Sequence, residues 1–138
     1  MSDWTDYAFS KSGIDANSFN RIVRSHAYNH DFLKCKPIKD AIKGVKELKK
    51  RNNLIHIITH REGNSRQDAV AWLYKYNVPF DTISFARNKA PLAYHLGIDI
   101  MIDDSPHVVE QMEEYGIKSL IFTRPWNEKF PYDRVSTW

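Results

Sequence analysis

The feature that most constrains this chain is a pair of short, nearly continuous apolar runs. Leu-Ile-His-Ile-Ile stands at 54–58 and Ile-Asp-Ile-Met-Ile at 98–102; each ends abruptly in polar residues and leads into a segment of helical periodicity. A run with almost no polar alternation suits a strand buried on both faces, as in a parallel sheet covered by helices. The segments around the runs fit that reading. After Pro37, the residues Ile38, Ala41, Ile42, Val45 and Leu48 mark one apolar face of a helix that Asn52-Asn53 ends. Ser65 with Asp68 reads as a capping box, opening a helix in which Ala69, Trp72, Leu73 and Tyr76 face the core. A short strand is expected at 82–85, a helix at about 91–96 stopped by Gly97, and a strand at 98–102. Ser105-Pro106 then supplies an N-cap and first helical residue, with Val108, Val109, Met112 and Tyr115 as the buried face and Gly116 as the stop. The last clear strand falls at 119–122.

This alternation predicts an α/β fold with right-handed crossovers around a mainly parallel sheet. Upstream, residues 1–35 read as helical and contain no convincing strand. Asp15 or Asn17 can cap a segment in which Phe19, Ile22, Val23 and Tyr28 recur near helical spacing, and Trp4, Tyr7 and Phe9 form an aromatic patch before it. The expected organisation is a helical cap-like segment at 1–36, an α/β core at 37–128 and a C-terminal tail at 129–138. At 138 residues one globular unit with a real core is expected.

Composition removes several alternatives. The single cysteine, Cys35, excludes an internal disulfide and fits a reducing cytoplasm; a quiet, buried thiol is expected there. No apolar run approaches bilayer length, and the start, MSDWTDYAF, lacks the pattern of a secretory signal. A soluble cytoplasmic protein with no membrane contact is the expectation. The formal charge of +3 is small, and Lys43, Lys46, Lys49, Lys50 and Arg51 cluster in the last turns of an expected helix, where cations are solvated and complement the helix dipole. A nucleic-acid partner is not expected.

Ligands of open α/β sheets bind outside the C-terminal ends of the strands. The residues leaving the two apolar runs are Thr59, His60 and Arg61 after the first, and Asp103, Asp104 and Ser105 after the second; Arg87, Asn88 and Lys89 follow the short strand between them. Thr59 and Asp103-Asp104 are expected to face a shared pocket suited to phosphate and a divalent metal. Consecutive carboxylates diverge in extended geometry, so one can meet Mg²⁺ while the other holds a metal-bound water or orients a ligand. The alternative is an acidic pair that caps the next helix and faces water. Thr59 can donate to a phosphoryl oxygen and Lys89 can offset charge developing there, while His60 and Arg61 are candidates for substrate contact. His56, inside an apolar strand, reads as a hydrogen-bonded core histidine. His26 and His30 lie four apart with no third ligand at useful spacing, so zinc is not expected. No glycine-rich phosphate loop or dinucleotide fingerprint is present.

At these residues the chain resembles the haloacid dehalogenase (HAD-like) superfamily, in particular its small 5'-nucleotidase and 5'(3')-deoxyribonucleotidase-like members. IHIITHR resembles the family's second motif with Thr59 in the phosphate-binding position, Lys89 the third-motif lysine, and IDIMIDDSP the acidic fourth motif with Asp103 and Asp104 near Mg²⁺. IKSLIFTRPWN, ending in Arg124, Pro125, Trp126 and Asn127, is similar to the strand and loop that follow. The resemblance implies a Rossmannoid three-layer sandwich, with residues 1–35 similar to a small helical cap, and a phosphate or nucleoside monophosphate as ligand.

One element departs from the pattern. Hydrolytic members begin with a strand ending in Asp-x-Asp, which carries the nucleophile and the acid–base residue, and nothing here matches it; Asp3, Asp6 and Asp15 fit neither the spacing nor the apolar strand. The resemblance therefore implies a fold truncated at its first strand. Either the strands ending at Ile58 and Ile102 pair directly, or their edges are completed by a homo-oligomer or partner chain, or the missing strand lies upstream. Two functions remain open: a 5'-nucleotidase-type phosphohydrolase inactive alone, or a pseudoenzyme with a binding or regulatory role.

Overall fold

A computed structural model describes residues 13–138. The aromatic patch expected at Trp4, Tyr7 and Phe9, and Asp3 and Asp6, lie outside the described residues. In chain order the elements are α1 (Ala16–Tyr28), a short 3-10 helix (Asp31–Lys34), α2 (Ala41–Lys50), β1 (His56–Thr59), α3 (Asn64–Lys75), β2 (Thr82–Phe85), α4 (Ala90–His95), β3 (Ile100–Asp103), α5 (Pro106–Glu114), β4 (Lys118–Phe122) and β5 (Arg134–Val135). Every ladder is parallel. The α/β class expected from the alternation is the one observed.

The described residues divide into two compact units with a sheet in each. One comprises the described residues through Arg24 together with Ala90–Ser136; the other comprises Ser25–Lys89 with Thr137–Trp138. In the second, β1 pairs with β2, His56 opposite Thr82 through Thr59 opposite Phe85. In the first, the order is β3-β4-β5, with Ile100 opposite Lys118 and Ile121 opposite Arg134. The strands ending near Ile58 and Ile102 each find their ladder partner within their own unit.

The unit built on β3 holds the denser core. From α5, Val109 and Met112 are buried with Val108, and Ile121 and Phe122 at the end of β4 meet them in burial. Pro106 opens α5 after Ser105, as expected, although the Ser105 hydroxyl makes no capping bond. Gly116, at φ 69°, donates to the Glu113 carbonyl and Ile117 donates to that of Met112, a Schellman closure. Tyr115, expected in the core, is 41% exposed and instead meets Tyr94 edge-on at 5.8 Å, because it follows the last helical residue. The strand β5 is an addition to the expected tail; it is short and polar enough to escape any hydrophobic pattern.

The unit built on β1 buries fewer side chains fully. Its strands bury Ile58 alone, and α2 buries no residue fully. The strand starts two residues later than the apolar run, leaving Leu54 71% exposed, because Ile55 is occupied elsewhere: its N–H donates to Asp81 Oδ2 at 2.7 Å and its carbonyl accepts from Asp81 N at 2.8 Å. Ile38 likewise falls before α2, at 47% exposure. The helix ends as expected at Asn52, φ 60°, with Asn53 donating to the Leu48 carbonyl from both backbone and side chain. Trp138 packs on α2 at Gly44, where a Cβ would lie 3.2 Å from the indole. Asp15 rather than Asn17 caps α1, its Oδ1 accepting the Ser18 N–H at 2.9 Å.

Candidate functional site

The two strand ends are built by opposite means. At the end of β3, Asp103 is half-buried and its Oδ1 accepts the Ser105 N–H at 3.0 Å, which turns the chain into α5. Asp104 is exposed, but its carbonyl accepts from Trp126 Nε1 at 3.2 Å and from Asn127 Nδ2 at 2.9 Å. Asn127 is fully buried, and it also donates to the Phe122 carbonyl and accepts from Arg124 N. One amide thus ties the loop after β4 to the loop after β3, fixing the backbone from which the two carboxylates project.

This donor set is chemically suited to Mg²⁺, which takes hard oxygen ligands and needs only one or two protein carboxylates when substrate phosphate and water supply the rest. Among the described residues no three His, Cys, Asp or Glu side chains gather closely enough to hold a metal by themselves.

At the end of β1 the chain opens onto a cavity of about 210 Å³. Thr59, half-buried, and Arg61 stand at its lining with Phe32 and Trp72, and Ile57, Leu73 and Ile83 complete apolar walls. The Arg61 guanidinium lies 4.4 Å over the Phe32 ring. His60 is exposed and does not line the cavity; its Nε2 lies 3.4 Å from Glu62 Oε1. Lys89 is half-buried immediately before α4, in the same unit as Thr59, and is not among the lining residues. His56 behaves as a core histidine should, its Nδ1 2.7 Å from Thr82 Oγ1 across the sheet.

Asp68 is the residue that pattern reading placed wrongly. Gly63, at φ 53°, occupies the N-cap of α3, so the helix begins at Asn64 and the expected capping box is displaced by two residues. Ser65 donates to the Glu62 carbonyl at 2.6 Å instead, and Asp68 lies 3% exposed within the helix. Its Oδ1 accepts from His30 Nδ1 at 2.7 Å, while its Oδ2 is buried with no partner among the described residues. Asp68 lines the cavity too. The signal for it was present: 68 falls on the helical face of Ala69, Trp72 and Leu73, where an acid is out of place unless it is paired or used. His30 is thus a partner to Asp68, and it holds the left-handed conformation (φ 57°) that starts the 3-10 helix.

That 3-10 segment is fastened over α3 by further bonds. The carbonyl of Cys35 accepts from Trp72 Nε1 at 2.7 Å, and that of Leu33 accepts from Lys75 Nζ at 3.0 Å. Cys35 itself is exposed, contrary to the buried thiol expected, because the segment lies on the surface of α3 without entering the core.

Parallel strands alternating with helices, with polar residues leaving the strand ends, make this an α/β protein. The match to the family described as "5' nucleotidase, deoxy (Pyrimidine), cytosolic type C protein" runs over residues 3–138, and the chain belongs to that family. A protein of Chlorobaculum tepidum, provisionally named a 5'(3')-deoxyribonucleotidase, is 28% identical over 113 residues, covering 78% of this chain and 54% of the relative. The chain thus spans about half the length of that curated relative. No helix among the described residues is long and apolar enough to cross a membrane.

Proposed function

We propose that this chain carries the phosphate- and metal-binding residues of a 5'-nucleotidase-type phosphohydrolase, and that its attacking carboxylate comes from outside residues 1–138. The observation that carries this is the sequence itself: no two aspartates in it stand two apart, while Thr59, Lys89 and Asp103-Asp104 keep the family's order. The two separate sheets support it, since β1 and β3 each have a strand partner on one side only among the described residues. An Asp-x-Asp strand, from upstream sequence, a second copy or a partner chain, would complete the set.

In this reading the Thr59 hydroxyl donates to a phosphoryl oxygen and the Lys89 ammonium offsets charge that grows there in the transition state. His60 and Arg61 contact the substrate, a nucleoside monophosphate. The contributed Asp attacks phosphorus, the ester P–O bond breaks with a proton delivered to the leaving alcohol, and water then hydrolyses the aspartyl-phosphate. Asp103 and Asp104 would hold Mg²⁺, which would supply positive charge against the phosphoryl oxygens. The family's cytosolic-type description and the lone cysteine support a cytoplasmic setting.

The test is turnover by the pure 138-residue chain. With Mg²⁺ it is expected to hydrolyse neither an aryl phosphate nor nucleoside monophosphates, while inorganic phosphate binding weakens in Thr59→Val. Clear turnover that is lost in Asp103→Asn or Asp104→Asn would sink the reading. Binding of phosphate that no added Asp-x-Asp strand converts to turnover would favour the second one, a binding or regulatory pseudoenzyme.

A further inference from the structure

The formal charge of +3 is the balance of two opposite excesses. Residues 25–89 hold thirteen Lys and Arg against six Asp and Glu, whereas residues 90–136 hold four against eight. The basic excess is concentrated at α2. Lys49 and Lys50 meet Asp81 and Glu47, but Lys36, Lys39, Lys43 and Lys46 are exposed and form no ion pair among the described residues. Lys36 and Lys43 also line a cavity of about 490 Å³, whose walls are Pro37, Ile38, Ile42 and Tyr76 with a single acid, Asp40. The acidic excess has its own exposed helix. Glu110, Glu113 and Glu114 share one face of α5, and Glu113 and Glu114 form no ion pair among the described residues. Next in the chain after them is Tyr115, which meets Tyr94 edge-on at 5.8 Å; the two are 41% and 65% exposed. Exposed tyrosines beside unpaired carboxylates have the composition of an interface centre with its charged rim.

We infer that the cavity beside α2 receives the Tyr94–Tyr115 pair of a second copy of this chain, with the carboxylates of that copy's α5 meeting Lys43 and Lys46. The occupant is a second copy because one chain supplies both complements, in charge and in spacing. Lys43 and Lys46 stand three residues apart, as do Glu110 and Glu113, so each helix sets its charges about 5–6 Å from one another. Tyrosine rings bring contact area to the apolar walls at little entropic cost, and Asp40, whose side chain makes no capping bond, is left to accept a phenol hydroxyl. Opposite charge excesses add attraction before contact and fix which face meets which. The two surfaces differ, so the contact is heterologous and repeats into a ring or an open chain. This inference does not draw on the nucleotidase reading.

The experiment is sedimentation velocity of the full chain at about 50 mM and about 500 mM NaCl. The mean mass is expected to rise with protein concentration at the lower salt, and the association to weaken about ten-fold or more at the higher. Lys43→Glu with Lys46→Glu should abolish it, and so should Glu113→Lys with Glu114→Lys. An equimolar mixture of the two variants should associate again, since one keeps the acidic helix and the other the basic one. Every substituted side chain is exposed, so the fold is kept. Tyr94→Ala should weaken association about ten-fold and leave its salt dependence intact. A monomer at every concentration, a loss from only one of the two reversals, a mixture that stays monomeric, or a Tyr94→Ala chain that associates like the original overturns the inference. So does a chain that binds polyphosphate through the same lysines and never self-associates, which would make α2 a polyanion surface.

Discussion

The end of β3 and the end of β1 carry the residues of greatest chemical interest, and they are supported differently. Behind Asp103 stand a buried helix face and the fully buried pair Ile121 and Asn127, and the Asn127 amide bonds to three backbone groups. Behind Thr59 stand two four-residue strands with one buried residue between them, a cavity, and a buried carboxylate left half unpaired. The difference teaches which end is finished by the protein itself. A carboxylate pair that is to meet a metal gains from a backbone fixed in advance, since preorganised groups need no rearrangement on binding. The β1 end keeps a cavity and one buried carboxylate oxygen with no partner among the described residues.

The sharpest way to break this comparison is a matched pair of truncations. Ile121→Ala removes a fully buried side chain and should cost about 3–4 kcal/mol, whereas Ile83→Ala, on a half-buried cavity wall, should cost about 1 kcal/mol. Urea denaturation of both variants measures the difference. Equal losses would mean that the β1 unit is as well packed as the other and that its cavity is not slack space. Next in size is Asn127→Ala, which strips partners from the Asp104 and Phe122 carbonyls and the Arg124 N–H, for about 2–3 kcal/mol. Phosphate affinity, if Mg²⁺ is present, should fall along with stability, because the loop that follows Asp103 loses its tie.

How much of this was legible beforehand follows from what each residue depends on. Val108, Val109 and Met112 announced themselves by spacing, because a helix that buries one face repeats that face in sequence. Gly97 and Gly116 announced the helix ends, because both adopt positive φ where other residues are strained. Thr59 and Asp103-Asp104 could be placed at strand ends because an apolar run stops there. The misreadings share a cause, which is that local grammar was overridden by a distant partner. Leu54 left the strand when Asp81, far along the chain, took both backbone groups of Ile55. Ser65 and Asp68 have the spacing of a cap, but Gly63 starts the helix and His30 claims the acid. A strand pattern reports burial and not which neighbour provides it, so the pairing of β1 with β2 and of β3 with β4 could not be read from the runs themselves. Asn127 was noticed only as part of a loop, since a buried amide has no signature apart from the carbonyls it reaches.

Asp68→Asn is smaller in stability and larger in meaning. In a site finished by the protein, replacing a buried carboxylate costs a hydrogen bond. Here one oxygen has no partner, and Asn can still accept from His30, so the change should lie within about 1 kcal/mol of zero by denaturation. A loss as large as that from Asn127→Ala would show that Asp68 is structural, and the contrast between the two strand ends would collapse.

The smallest effect concerns acid stability, and it separates packing from charge in the β1 unit. The Ile55 backbone N–H, first, and then the Lys49 ammonium hold the Asp81 carboxyl below the ordinary carboxylate value of 3.8. A carboxyl lowered in the folded state adds stability that is present above its unfolded value and is lost as pH falls through the folded one. Asp81 lies at the surface, where solvent screens the pair, so the contribution is modest. Asp81→Asn should therefore leave the denaturation midpoint at pH 7 a little lower and flatten its decline below about pH 4, closing the gap to the unsubstituted chain in acid. A variant whose deficit stayed constant from pH 7 to about pH 3 would show that Asp81 acts as a backbone clamp on Ile55 irrespective of charge.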